Sequence, residues 1–191
     1  ILDYKNHLNE TKFFLEKTIE LDPYNFGLKA GVNLAILKFL DSEFSISEKI
    51  LIKSINILEK SSDDKDYNNE KKYFDFLLTL LNWHKQKPQQ NNTLTSKKVM
   101  FVIGESHALV SHRIHIERIN EDFECKSFLI QGCKQFHLGN SRINKYKTKF
   151  ENIFKSLPKS SKVLLCFGEI DCRFDSGIIS HRDKYKENNT E

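Results

Sequence analysis

The sequence predicts two dissimilar parts, an all-helical segment followed by an α/β domain, on three observations. Residues 1–87 contain only two Gly and one Pro, residues 88–96 are mostly polar, and residues 97–191 contain short apolar runs that end at glycine. Gly and Pro disfavour helix interiors, whereas short apolar runs bounded by turn residues are typical of buried strands. We therefore expect a helical domain at 1–87, a linker at 88–96 and an α/β domain at 97–191.

Apolar residues recur at helical spacing four times in the first segment, which predicts four helices. They are expected at residues 4–20, at 26–40, from Ser45 or Ser47 to 60, and at 66–85. The second is apolar on nearly all sides, so it should be the central helix of the segment.

The connection between the first two helices reads Glu-Leu-Asp-Pro-Tyr-Asn, at residues 20–25. It resembles the turn between tetratricopeptide repeats, and Gly31 falls where that repeat often has a small residue. The resemblance implies a helical-repeat-like domain that can bind a protein partner. An unrelated helical bundle is the alternative, because Leu-Asp-Pro is also an ordinary boundary between helices.

Three apolar runs in the second segment predict the parallel strands of a small sheet, near residues 98–103, 126–131 and 162–167. Helices are expected near 107–120 and 142–156. The first strand should lie between the other two, in the order 2-1-3 with right-handed crossovers.

Polar residues follow each predicted strand. The first runs into Gly104-Glu105-Ser106, the second into Gln131-Gly132, and the third into Gly168-Glu169-Ile170-Asp171. Ligands of open α/β sheets bind at the carboxyl ends of the strands. The sequence therefore predicts one shared site at this edge of the sheet.

Gly104-Glu105-Ser106 resembles the Gly-Asp-Ser block of the SGNH (GDSL-type) hydrolases, and Gly168-Glu169-Ile170-Asp171 is similar to their Gly-x-Asn-Asp block. Gly132, or less favourably Gly139, falls where the glycine of their second block belongs. The resemblance implies a flavodoxin-like three-layer fold. It also implies a serine esterase that cleaves acyl or acetyl esters, including those on carbohydrate.

The chain departs from that pattern at three places. Glu105 replaces an aspartate, Ile170 stands where the family has an asparagine that lends an oxyanion donor, and the Asp-x-x-His block near the family's carboxyl terminus is absent. We expect two further strands and the catalytic histidine in sequence beyond Glu191. His137, His181 and, less favourably, His107 are the alternatives for the base within the chain.

Acyl transfer needs a nucleophile and donors for the oxyanion. We expect Ser106 to be the nucleophile, with the backbone N–H groups of Ser106 and Gly132 as the oxyanion donors. Residues expected to contact the substrate are Glu105, His137, Gly139, Asn140, Glu169, Asp171 and Arg173. The alternative function is a non-catalytic module that binds a carbohydrate or acyl group or interacts with a protein.

Composition limits the class of protein, its partners and its location in the cell. Charged residues make up 29% of the chain and aromatic residues 12%, which is typical of a globular protein with a core and a solvated surface. No apolar run approaches the ~20 residues of a membrane span, and no motif indicates nucleic-acid binding. The four cysteines lack paired zinc-ligand spacing. We thus expect a cytoplasmic protein without a metal ion or cofactor.

Overall fold

The computed structural model describes residues 2–24, 26–58, 65–86, 98–118, 121–174, 177–178, 180 and 182. The chain divides into two compact units, Ile1–Thr95 and Ser96–Glu191. The predicted linker at 88–96 and His181 lie outside the described residues. Among the residues described, no helix combines the length and the apolar character that crossing a membrane requires.

The first unit contains the four predicted helices, which are α1 (Leu2–Leu21), α2 (Gly27–Leu40), α3 (Phe44–Leu58) and α4 (Lys65–Gln86). Helix α2 packs against each of the other three. Its buried residues lie on all sides, from Ala30 to Phe39. The prediction that the second helix is central is therefore confirmed.

Helices α2 and α3 approach closely because small residues line their contact. A Cβ added at Gly31 would lie 2.2 Å from Ser54 Oγ. Ser47, one of the two serines at which the third helix was expected to begin, lies within α3 and is buried, and its hydroxyl donates to the Ala35 carbonyl at 2.7 Å. This hydrogen bond satisfies a polar group that burial would otherwise leave without water.

The second unit is a mixed four-stranded sheet with helices, so the coarse α/β prediction is confirmed. Its strands are β1 (Lys98–Gly104), β2 (His115–Arg118), β3 (Glu121–Leu129) and β4 (Lys162–Cys166), in the spatial order β2-β3-β1-β4. Strand β1 is parallel to both β3 and β4. The expected order of the three parallel strands is thus also confirmed.

The helix predicted near 107–120 is wrong. The chain forms a short 3₁₀ helix, Ser106–Ser111, and then strand β2, which runs antiparallel to β3. Arg113 has a positive φ of 60°, which an α-helix cannot accommodate. Beyond it, Ile114 and Ile116 alternate with polar residues and pack against the core at Val102. That period of two is typical of a strand, and it overrides the apolar residues at helical spacing.

Three helices complete the described part of this unit: α5 (Gln135–Gly139), α6 (Lys145–Ser156) and α7 (Glu169–Cys172). Helix α6 is the one predicted near 142–156. It begins at Lys145 because the Asn144 side chain accepts hydrogen bonds from the backbone N–H groups of Tyr146 and Lys147.

Gly104 ends β1 where the neighbouring strands leave no room for a side chain. A Cβ at this position would lie 2.3 Å from the Cys166 carbonyl oxygen. Backbone bonds continue past it on both sides, from Glu105 N–H to Cys166 O at 3.1 Å and from Ile130 N–H to Gly104 O at 2.7 Å. Together these contacts fix the position of the residue that follows, Glu105.

Replacing Gly104 with Ala should therefore destabilise the β1–β4 contact by ~1–3 kcal/mol, the usual cost of overpacking a well-packed site. Hydrogen–deuterium exchange of peptides from β1 and β4 measures the effect as faster exchange. Gly139→Ala is the matched control, because a Cβ there meets no atom within 4 Å. Equal exchange in both variants would contradict this account of Gly104.

Candidate functional site

The segments that follow β1, β3 and β4 leave the sheet at the same edge. Gly104, at the end of β1, is paired with Leu129 of β3 on one side and with Cys166 of β4 on the other. Since all three strands are parallel, Ser106, Gly132 and Glu169 follow strand ends that lie side by side. This is the edge where ligands bind in open α/β sheets.

Glu105 is the buried centre of this edge. Its side chain is 1% exposed, and within the described residues its Oε2 atom has no hydrogen-bond partner. Burial raises the pKa of the carboxyl, and the negative charge of Glu169 raises it further. The charges of His107 and Arg173 and the backbone amide of Glu169 act in the opposite direction. Glu105, which stands where the SGNH family has an aspartate, therefore places a longer carboxyl side chain beneath this edge of the sheet, and the pKa of that carboxyl is raised.

His107 and Glu169 lie above this carboxyl. The His107 Nδ1 atom is 3.7 Å from Glu105 Oε1 and 3.9 Å from Glu169 Oε2, beyond hydrogen-bonding distance. The His107 side chain is 48% exposed. Arg173 binds Glu169 through two nitrogens, with Nε 2.8 Å from Oε1 and Nη2 2.7 Å from Oε2. The sequence motifs included Glu105, Glu169 and Arg173, and the structure adds His107 to their group.

Ser106 is half-buried and begins the 3₁₀ helix directly after Glu105. As the first helical residue, it has a backbone N–H without an acceptor inside the helix. Ser127 and His112 hold this helix against β3: the Ser127 hydroxyl donates to Ala108 O at 2.6 Å, and the Ser127 N–H donates to His112 Nδ1 at 3.2 Å. His112 is itself buried, at 1% exposed.

Gly132 has a left-handed backbone conformation, with φ of 68°, in the turn that follows β3. The Cys133 N–H donates to Ile130 O at 3.1 Å and closes this turn. A turn with positive φ at its third residue favours glycine. The turn places Gly132 three residues after the end of β3, and its role as an oxyanion donor stays a prediction.

Asp171 has a structural contact that the motif did not indicate. Its carboxylate is 4% exposed and accepts hydrogen bonds from the backbone N–H groups of Gln135, at 2.7 Å, and Phe136, at 3.5 Å. These two N–H groups begin α5. Asp171 therefore joins the segment after β4 to the segment after β3, and it fixes the position of these two segments at this edge of the sheet.

His137 likewise has local partners on α5. Its Nδ1 accepts from the Lys134 N–H at 3.0 Å, and its ring stacks on Tyr146 with a centroid distance of 4.1 Å. Burial lowers its pKa, so the neutral acceptor form is favoured. The Asn140 side chain accepts from Arg142 N–H at 2.9 Å, and Gly139 is exposed with open space beside it. These contacts explain the local fold, and they leave the predicted substrate contacts of all three residues as predictions.

Comparisons with protein-family models, with curated proteins and with solved structures find no match to this chain.

Replacing Asp171 with Ala should weaken α5 by ~1–2 kcal/mol, because a helix start loses its carboxylate acceptor and partly buried N–H groups lose their partners. Hydrogen–deuterium exchange of a peptide covering 135–139 should become faster. Asp171→Asn keeps one acceptor oxygen and should have a smaller effect. Glu151→Ala removes an exposed carboxylate from α6 and should leave this peptide unchanged. Unaltered exchange in Asp171→Ala would contradict the positioning role.

Proposed function

We propose that the α/β unit is a serine-dependent ester hydrolase of the SGNH type, with Ser106 as its nucleophile. One observation carries the proposal: Ser106 lies two residues beyond the end of β1, the middle one of the three parallel strands, between the segments that leave β3 and β4. The resemblance of the Gly-Glu-Ser and Gly-Glu-Ile-Asp blocks supports the same function. We include in this proposal the three-layer flavodoxin-like fold, the repeat-like character of the helices and the acyl or acetyl ester substrates.

The backbone near Ser106 supplies the donors that acyl transfer requires. The Ser106 N–H begins a helix, and the Gly132 N–H belongs to the turn beside it. Donors fixed by the backbone stabilise a developing oxyanion without reorganising during the reaction. Asp171 supports this arrangement by tying α5, which follows Gly132, to α7.

The thiols beside this edge are poor alternatives to the hydroxyl. Burial, with the charges of Asp171 and Glu105, raises the pKa of Cys133 to about 11. Burial and Glu105 also raise the pKa of Cys166. A thiol is nucleophilic only as the thiolate, so both are inactive at neutral pH. All four cysteines are free thiols, which supports our proposal of a reducing, cytoplasmic location.

A phosphonate that reacts with activated serines tests the proposal. In the full-length wild-type protein, Ser106 Oγ should displace fluoride from a fluorophosphonate, and mass spectrometry should locate the adduct on the peptide containing Ser106. Ser106→Ala should abolish this adduct and lower the hydrolysis of a short-chain activated ester by ~10²-fold or more. Ser111→Ala, at the other end of the same 3₁₀ helix, should keep both.

The same assay addresses the proton acceptor. His107 is the histidine adjacent to Ser106 in the chain. If His107 accepts the proton of the Ser106 hydroxyl, His107→Ala should reduce labelling as strongly as Ser106→Ala does. Labelling that persists in Ser106→Ala, or wild-type protein that neither labels nor hydrolyses any ester, would overturn the proposal.

A second candidate function is a binding module, which a groove in the helical unit favours. The groove has a volume of ≈ 320 Å³ and lies among α1, α2 and α3, where it combines apolar and charged side chains. Its lining includes Ile19, Leu34, Ile46 and Ile50 together with Glu16, Glu20, Lys38 and Lys53. In this second function, a protein partner would bind in the groove of the helical unit. The α/β unit would bind a carbohydrate or acyl group at the sheet edge without hydrolysing it. Absence of turnover by the full-length wild-type protein on a broad panel of esters would favour this function.

A further inference from the structure

Glu105, His107 and Glu169 bring three metal-ligating groups together at the sheet edge. One ligand atom from each lies within 4.8 Å of the others. Glu105 and His107 follow β1, whereas Glu169 begins α7 after β4. We propose that these three side chains bind a divalent transition-metal cation, for which Zn²⁺ is the best fit. The proposal does not rest on the proposed hydrolysis, because cation binding by these three side chains requires neither Ser106 nor turnover.

The buried carboxyl of Glu105 gives the first argument. Its Oε2 atom is inaccessible to solvent, and no hydrogen bond reaches it from the described residues. A buried carboxylate oxygen without a partner is costly, because that oxygen loses its hydration and gains nothing in return. The second carboxylate, Glu169, adds like-charge repulsion across the cluster. A divalent cation supplies a partner for Glu105 and offsets both negative charges.

The spacing of the ligand atoms gives the second argument. The His107 Nδ1 atom is 3.7 Å from Glu105 Oε1 and 3.9 Å from Glu169 Oε2. These distances are too long for hydrogen bonds. Two ligands that each lie ~2.1 Å from a tetrahedral Zn²⁺ are ~3.4 Å apart. An inward movement of a few tenths of an ångström at His107, which is half-exposed, would bring both pairs to that spacing.

The chemistry of the ligands selects the class of cation. One imidazole nitrogen and two carboxylate oxygens suit Zn²⁺ and related first-row ions, whereas Mg²⁺ and Ca²⁺ prefer oxygen ligands alone. Three protein ligands leave a fourth position for water or substrate, as in catalytic zinc sites. The pattern was not visible in the sequence, because Glu105 and His107 are separated by 62 or more residues from Glu169.

Arg173 would compete with the cation for the Glu169 carboxylate. It binds the Glu169 carboxylate through two nitrogens, and this pair is about half exposed. A cation at the cluster would have to share Glu169 with Arg173 or displace it. Exposed ion pairs contribute little free energy, so a cation can displace Arg173 from Glu169 at a small cost. Removing Arg173 should therefore strengthen cation binding by ~2–5-fold.

Isothermal titration of the metal-free wild-type chain with Zn²⁺ tests the proposal. We expect one equivalent to bind, at least 10-fold more weakly in Glu105→Gln and in His107→Ala, and more tightly in Arg173→Gln. His7→Ala is the matched control: His7 Nδ1 also lies 3.6 Å from a carboxylate oxygen, that of Glu10, but both groups are exposed on α1, and neither belongs to the three-ligand cluster found among the described residues. Its Zn²⁺ affinity should equal that of the wild type.

Co²⁺ absorption identifies the ligands without reference to activity. Nitrogen and oxygen ligation should give visible bands without the near-ultraviolet charge transfer of a cobalt thiolate, and Cys172→Ser should not change them. Circular dichroism shows whether each variant is folded. Wild-type affinity no greater than that of folded His107→Ala, a thiolate band lost in Cys172→Ser, or weaker binding in Arg173→Gln would each overturn the proposal.

Discussion

The burial of Glu105 at the end of the central strand is the constraint on which the rest of the edge depends. Gly104 brings β4 so close to β1 that a methyl group would collide with the Cys166 carbonyl. The backbone hydrogen bond from Glu105 to that carbonyl then directs the chain out of the sheet. The side chain of Glu105 is enclosed, and its pKa is raised first by this burial and then by the charge of Glu169, whereas His107 and Arg173 lower it.

Two kinds of contact then organise the surroundings of Glu105. Asp171 joins α7 to the start of α5 through backbone N–H groups, and Ser127 with His112 holds the 3₁₀ helix on β3. Each of these polar side chains is buried and hydrogen-bonded. Such contacts fix the backbone that carries Ser106 without involving its hydroxyl. In the proposed hydrolase they would position the nucleophile and its donors, and in the proposed metal site they would position the ligands.

The sequence was sufficient to predict the three parallel strands and their order, because apolar runs ending at glycine indicate strands. The expectation that each strand is buried is wrong for β4, which lies at the edge of the sheet with Leu164 and Leu165 exposed. The sequence was insufficient for the segment after Ser106. There the apolar residues also satisfy helical spacing, and the choice of a strand depends on Arg113 entering the left-handed region and on Ile114 and Ile116 finding the core. These are tertiary effects. Motif order predicted that Glu105, Ser106 and Glu169 lie at one edge. It did not predict that His107 joins them, because the direction of a side chain after a strand depends on local turn geometry.

The titration of Glu105 tests the central claim most directly. Carbon-detected NMR of the glutamate side-chain carboxyls, with Glu105→Gln used to assign the signal, should show Glu105 titrating above the usual glutamate pKa. Glu169→Gln removes the neighbouring negative charge and frees Arg173, so it should lower the pKa of Glu105. A Glu105 signal that titrates at the usual value and does not respond to Glu169→Gln would contradict a buried carboxyl at a shared sheet edge.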